Sequence, residues 1–338
     1  MSLLFMDSFA GGDYRYKWDV LSDPIVTFAP NATSRVTGNY YGQLNIGNVI
    51  FKSFPAASQV FMGVGFYSAG ATAQFVVAFF GDAGATQHIT VCRNTSTGRL
   101  EIRRGTTAGT LLATGSLVWA NSTWHYIEVS VTISDTVGNV EVRVDGSTTP
   151  DVTFTGDTKN AGTNTTIDKI SYQSSNAASF IADVYICNSS GSANNTFLGD
   201  VCVRVLTPSA DGAFSQLTGS DGNQVANFQQ VDEHGFSGTD YNGSSTSGQR
   251  DTYALSDLPG GVATVYGVQV SSFMAKSDAT LGQAKSVLRS GGTNFYGPTT
   301  ALTTTFSGYY DLYETDPATA VAWTVGGVNA SETGMEVV

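Results

Sequence analysis

Trp124-His125-Tyr126-Ile127-Glu128-Val129-Ser130-Val131-Thr132-Ile133 and Val140-Glu141-Val142-Arg143-Val144-Asp145-Gly146 alternate apolar with polar residues on either side of a turn at residues 135–139. Two runs of period two joined by so short a turn form a half-buried antiparallel pair. Ile127, Val129, Val131 and Ile133 share one face, as do Val140, Val142 and Val144. Glu128, Ser130, Thr132, Glu141 and Arg143 take the other, so one side of the sheet is expected to meet a core and the other water or a partner. The hairpin belongs to a β-sandwich, not to an α/β enzyme.

Further strand candidates lie at residues 3–6, 43–46, 60–67, 75–80, 88–92, 100–104, 169–172, 180–187 and 201–206, several separated by turn pairs such as Gly81-Asp82 and Thr97-Gly98. Residues 75–80, Phe-Val-Val-Ala-Phe-Phe, do not alternate and are expected to be covered on both faces. This spacing predicts two packed antiparallel sheets around one core. A chain of 338 residues exceeds the usual size of one core, which points to two domains. From Thr207 the texture becomes loop-like, then alternation returns at residues 262–275, 284–289 and 308–314. The expected organisation is a jelly-roll sandwich over 1–206, connecting loops over 207–250 and a smaller β-domain over 251–338. Thr315-Asp316-Pro317 has the residues of a helix start and predicts a short helix over 318–323.

The 16 Lys and Arg against 28 Asp and Glu give a net charge of -12, which disfavours nucleic acid as a partner. No apolar run approaches the roughly 18 residues of a membrane-spanning helix, so membrane insertion is not expected. The opening Met1-Ser2-Leu3-Leu4-Phe5-Met6-Asp7 lacks a basic region and reads as a first strand of the fold. Cys92, Cys187 and Cys202 cannot all pair and have no metal-ligand spacing, which predicts free thiols in a reducing cytosol. Neither heptads nor repeats of solenoid or propeller type are present, which excludes a long fibrous shaft.

Trp124-His125-Tyr126 through Asp145-Gly146, followed by Phe180-Ile181-Ala182-Asp183-Val184-Tyr185, resembles the laminin-G-like or concanavalin A-like jelly-roll family over residues 1–206. The resemblance implies that the strand at 180–187 pairs near the N-terminal strand. Sandwiches of this family host lectins, hydrolases and structural modules, so fold alone does not choose a function. A second likeness spans the chain. Leu4-Phe5-Met6-Asp7-Ser8-Phe9, Phe197-Leu198-Gly199-Asp200-Val201, Leu288-Arg289-Ser290-Gly291-Gly292-Thr293, Tyr313-Glu314-Thr315-Asp316-Pro317 and Met335-Glu336-Val337-Val338 resemble tailed-bacteriophage virion proteins. This implies a non-enzymatic virion component, on tail or head, assembled in the host bacterial cytoplasm. Its partners would be other virion proteins and further copies of itself. The alternative is a lectin-like receptor-binding protein that recognises host surface glycan.

Enzyme chemistry finds little support in the residues. A sandwich glycoside hydrolase needs paired carboxylates projecting from one strand face, and no Glu-x-Asp-x-Glu strand occurs. His88, His125 and His234 stand apart from any Cys, Asp or His at ligand spacing, and no Gly-x-Ser-x-Gly turn is present. Asp211-Gly212 and Asp221-Gly222-Asn223 carry oxygens suited to calcium, which some laminin-G-like domains bind, but Asp-Gly is first a turn signal and no cofactor is expected. Aromatic residues near turns remain as candidate interface or glycan contacts: Tyr40, Tyr41, Trp119, Tyr309 and Tyr310, with Tyr14, Tyr16 and Trp18 alternating near the start.

Overall fold

The computed structural model describes residues 1–10, 14–19, 26–28, 30–68, 70, 74–175 and 178–338; the side chains of residues 14 and 26–28 lie outside the described set. The chain is all-β and forms two compact units, one of Met1–Ala10 with Trp18–Val203, the other of Gly11–Lys17 with Arg204–Val338.

The first unit begins with β1 (Leu3–Asp7), β2 (Val26–Phe28), β3 (Tyr41–Leu44), β4 (Val49–Ala57), β5 (Gln59–Ser68), β6 (Gln74–Gly81) and β7 (Thr86–Arg93). It continues with β8 (Leu100–Arg104), β9 (Thr110–Thr114), β10 (Trp124–Thr132), β11 (Gly138–Val144), β12 (Val152–Gly156), β13 (Ile167–Ser175) and β14 (Ser179–Asn188). One sheet runs β12-β11-β10-β5-β14-β3-β2, with β1 added on β14; the other runs β4-β13-β6-β7-β8-β9. The pairings are antiparallel, and β10 meets β11 in the predicted register, Val129 opposite Val142. The strand at 180–187 does pair with β1, Met6 opposite Tyr185.

Alternation dictates the core. Val60, Met62, Val64 and Phe66 of β5 and Ile127, Val129 and Val131 of β10 are fully buried, and so are Phe75, Val77 and Phe79 of β6. Phe66 meets Phe75 across the sandwich with ring centroids 4.6 Å apart. Around β6 the expectation of two covered faces is met, since Val76 and Ala78 are buried as well.

The outer face of the hairpin departs from expectation. Glu128 and Ser130 are 2 % and 3 % exposed, because the chain after β14 folds back over this sheet. The Glu128 carboxylate accepts the amides of Leu198 (3.1 Å) and Gly199 (2.8 Å) and the Tyr185 hydroxyl. Phe197 lies against Phe61, centroids 5.3 Å apart, and beneath the Arg143 guanidinium at 4.0 Å. Two glycines of β5 keep the floor flat. A Cβ on Gly63 would sit 2.2 Å from the Tyr185 ring, and one on Gly65 would sit 2.5 Å from Arg35 Cδ.

Strand β14 changes partner midway, pairing β3 through Ser179, Phe180 and Ile181 and β1 from Val184 onward. The change falls at a bulge whose Asp183 has φ 53°, a left-handed backbone that a non-glycine residue adopts at a cost. Residues 201–206, expected as a strand, join no ladder. Side chains hold them: the Val203 amide donates to Asp183 and the Val201 carbonyl accepts from Arg35.

The second unit contains α1 (Tyr14–Lys17), β15 (Pro208–Ser215), β16 (Thr218–Gly219), β17 (Asn242–Gly243), β18 (Arg250–Leu255), β19 (Val268–Met274) and β20 (Gln283–Ser290). It ends with β21 (Thr293–Tyr296), β22 (Thr300–Ala301), β23 (Ser307–Tyr313), α2 (Val325–Asn329) and β24 (Glu332–Val337). A sheet of order β15-β18-β24-β20-β21, with β22 also on β20, packs against the β19-β23 pair. Val270, Leu288, Trp323 and Val328 fill one part of the core, Met274, Ala284 and Leu302 another.

Two expectations are corrected here. Residues 207–250 are part of this unit rather than connecting loops, because Asp251 accepts the Gln216 and Leu217 amides and the Asn227 amide group, drawing β15 and the following turns onto β18. No helix forms over 318–323. Asp316 accepts the Ala318 amide and the Thr319 and Ser290 hydroxyls, and Ala320, at φ 59°, ends the turn at once. The helix comes later, capped by the Thr324 hydroxyl on the Gly327 amide.

Candidate functional site

The loop before β3 and the start of β10 build one wall of a groove in the first unit. Asn31 Oδ1 accepts the Thr33 amide at 2.8 Å, and Asn31 Nδ2 donates to the Tyr41 hydroxyl at 2.9 Å. This turn holds the Thr33 carbonyl where the Trp124 indole N–H donates to it at 2.6 Å. Tyr67 and Tyr41 support the indole, with centroids 5.6 and 6.1 Å away. Trp124 is left half-buried, its indole held by this hydrogen bond and these rings.

Asp145 stands at the end of β11 in a turn closed by the Ser147 amide on the Val144 carbonyl, with φ 54° at Asp145 and 71° at Gly146. Positive φ at both central residues is the reason for Asp-Gly here. The Tyr126 amide donates to Asp145 Oδ1 and His125 Nδ1 to Oδ2, both at 2.8 Å. Partial burial acts to raise this carboxyl's pKa, but these hydrogen bonds prevail and hold it below the ordinary aspartate value. His125 in turn rests on Trp119, centroids 4.9 Å apart.

Arg35 forms the base. It lies over the Tyr126 ring at 4.6 Å and donates from Nε to Asp183 at 2.7 Å, from Nη1 to Asp200 and from Nη2 to the Val201 carbonyl. Asp183 also takes the Asn39 amide group at 2.8 Å and the Val203 amide at 2.9 Å. Burial still raises the Asp183 pKa, against the opposing charge of Arg35. Asp200 packs beside Gly146 and thus beside the Asp145 turn.

Arg35, Val36, Trp124, Tyr126, Asp145, Asp200 and Cys202 line an open groove of about 430 Å³. The carboxylates of Asp145 and Asp200 are 50 % and 43 % exposed and lie near an indole. Such a surface accepts hydrogen bonds from hydroxyl or ammonium groups while the ring packs on their carbon skeleton.

No protein-family model matches this chain, and no curated protein does. Among solved structures it is similar to a sialidase (TM-score 0.39, 12 % identity), over 54 % of this chain and only 18 % of that one. It is similar to the carbohydrate binding module CBM66 from Bacillus subtilis (0.35, 7 % identity), over 51 % of this chain and 95 % of that one. It is also similar to the Caenorhabditis elegans galectin LEC-6 (0.31, 9 % identity), over 43 % and 96 %. These likenesses concern the sandwich architecture.

The five aromatic residues singled out from the sequence are not brought together. Tyr41 and Trp119, each 3 % exposed, are buried, one packed against Trp124 and the other against the His125 that holds Asp145. Tyr40 is half-buried beside Tyr41. Tyr309 packs on the core of the second unit, and Tyr310, next on β23, points to the opposite face. Sequence reasoning did not single out Trp124 and Asp145 as groove-lining residues although it quoted both. The available signal was their position, with Trp124 on the outward side of a strand whose Ile127 faces inward. Arg35 and Asp200 carry no such signal.

Tyr16, noted from the sequence, belongs to a second cluster whose other members were not. Tyr16, Phe236 and Tyr241 are 44 %, 44 % and 46 % exposed in the second unit. Tyr16 and Phe236 flank Phe273 at 5.3 and 5.2 Å, and Phe306 joins Phe236 to Tyr241. Of the calcium candidates, Asp211 accepts the Phe228 amide and Asp221 the amide and side chain of Asn223. Among the described residues no three His, Cys, Asp or Glu side chains group as a metal site, and no helix is long and apolar enough to cross a membrane.

Proposed function

We propose that the protein is a non-catalytic binding protein whose first unit acts as a lectin-like module, holding a saccharide in the groove beside Trp124. The observation that carries this reading is the half-buried indole held near two half-exposed carboxylates, each locked by hydrogen bonds to its own surroundings. Sugar hydroxyls donate to the carboxylates, and the ring's C–H face lies on the indole. A glycan array followed by titration calorimetry tests it. Saturable binding should weaken at least tenfold in Trp124→Ala, measured well below that variant's own thermal midpoint; a blank array would defeat the reading.

The resemblance to tailed-phage virion proteins supports a second reading, a particle component acting through protein contacts in several copies. The exposed Tyr16, Phe236 and Tyr241 cluster favours it, since aromatic patches of this kind anchor protein interfaces. Quantitative mass spectrometry of purified particles should then find the chain in a fixed ratio to the other virion proteins, and trace amounts would sink it.

A further inference from the structure

We propose that the ligand of this groove is an amino sugar whose nitrogen is unacylated and protonated. The inference rests on the saccharide reading above and assigns its chemical class. Arginine in a groove ordinarily suggests an anion receptor, but each nitrogen of Arg35 is already bound, to Asp183, Asp200 and the Val201 carbonyl, and its side chain is 7 % exposed. The other strong side-chain donors of the wall are committed too. The Trp124 indole N–H serves the Thr33 carbonyl, and the Tyr126 hydroxyl serves the Asp183 carbonyl. What faces the groove is therefore acceptor and π surface, namely the exposed edges of Asp145 and Asp200 and the indole.

An ammonium group complements both, bringing three donors to the carboxylates and a cation to the ring. One guanidinium against the carboxyl groups of Asp145, Asp183 and Asp200 makes the charge balance favour a cation. An N-acetyl carbonyl or a sugar carboxylate would add acceptors where donors are spent, and a carboxylate would also meet like charge.

Calorimetry on the full chain with four probes at neutral pH tests the assignment: the glucosamine trimer, the N-acetylglucosamine trimer, sialyllactose and trilysine. The expected result is glucosamine trimer bound at least tenfold more tightly than the other three, with affinity falling as salt is raised. In the unmutated protein the same trimer should slow maleimide labelling of Cys202, a readout that does not depend on any variant folding. If the acetylated trimer or sialyllactose binds as well or better, the amino-sugar class falls while the saccharide reading stands. Equal binding of trilysine would show that charge alone is read and would also overturn the class. If no probe titrates and a glycan array is blank, the saccharide reading fails and takes this inference with it.

Discussion

Arg35 Nε lies 2.7 Å from the Asp183 carboxylate at the point where β14 exchanges β3 for β1. Asp183 is fully buried, so removing the cation strands a buried carboxyl and leaves Asp200 without its partner too. Arg35→Met should cost about 3 to 5 kcal/mol, and adding Asp183→Asn should recover much of that. Urea melts of the two singles and the double check this; strict additivity would show that the pair is not coupled.

Glu128 receives three donors from elements distant in sequence. Glu128→Ala leaves them facing an apolar gap, with an expected loss on the order of 3 kcal/mol, whereas Glu128→Gln keeps an acceptor and should lose less. Hydrogen exchange should rise at Leu198 and Gly199 in the alanine variant. Unchanged protection there would mean that the returning segment is held by Phe197 alone.

The Asp145 carboxyl titrates below its unfolded value despite partial burial, because His125 and the Tyr126 amide bond its charged form. A lowered folded pKa contributes stability that is complete above the unfolded value, about 3.9, and is lost as pH falls through the folded one. The thermal advantage of the unmutated chain over Asp145→Asn should thus be constant near neutrality and shrink below about pH 4. An advantage that grew on acidification would contradict the hydrogen-bond assignment.

Thiol chemistry should be graded. Cys202 is exposed, while Cys92 is buried with its thiol pushed up to about 11, and Cys187 is buried beside the Thr196 carbonyl. One equivalent of maleimide should react quickly at pH 7.5 and three after denaturation. Two fast equivalents would place a second cysteine at the surface.

The hairpin was legible because period two with inward Ile127, Val129 and Val131 admits one fold of the strand. The same alternation was incomplete at Ser130, whose face was expected to meet water or a partner and is instead covered by the chain's own later segment; with 3 % exposure, Ser130→Asp should be nearly as harmful as Val129→Asp. What covers an outward face depends on residues such as Phe197, some 70 positions away, and no local pattern reports them. The groove was hidden for the same reason. Arg35, Trp124, Asp145 and Asp200 come from four separate segments, and aromatic residues taken one at a time cannot be sorted into buried ones, such as Trp119, and groove-lining ones, such as Trp124. In the second unit, Asp316 followed by proline gave a sound cap signal, but the cap closed a single turn because its carboxylate also takes the Ser290 hydroxyl.

Because residues 11–17 belong with the C-terminal unit while residues on both sides of them belong with the N-terminal one, the polypeptide changes unit three times. A protease cut after Val203 would therefore not yield two self-sufficient halves. The longer fragment would carry away Tyr16, the ring that lies on Gly308 and on one side of Phe273, and uncover that side on the shorter one, where only Phe236 would still flank Phe273 among the rings described above. Any dissection of the molecule into separately expressed pieces has to graft that short stretch onto the piece that does not encode it.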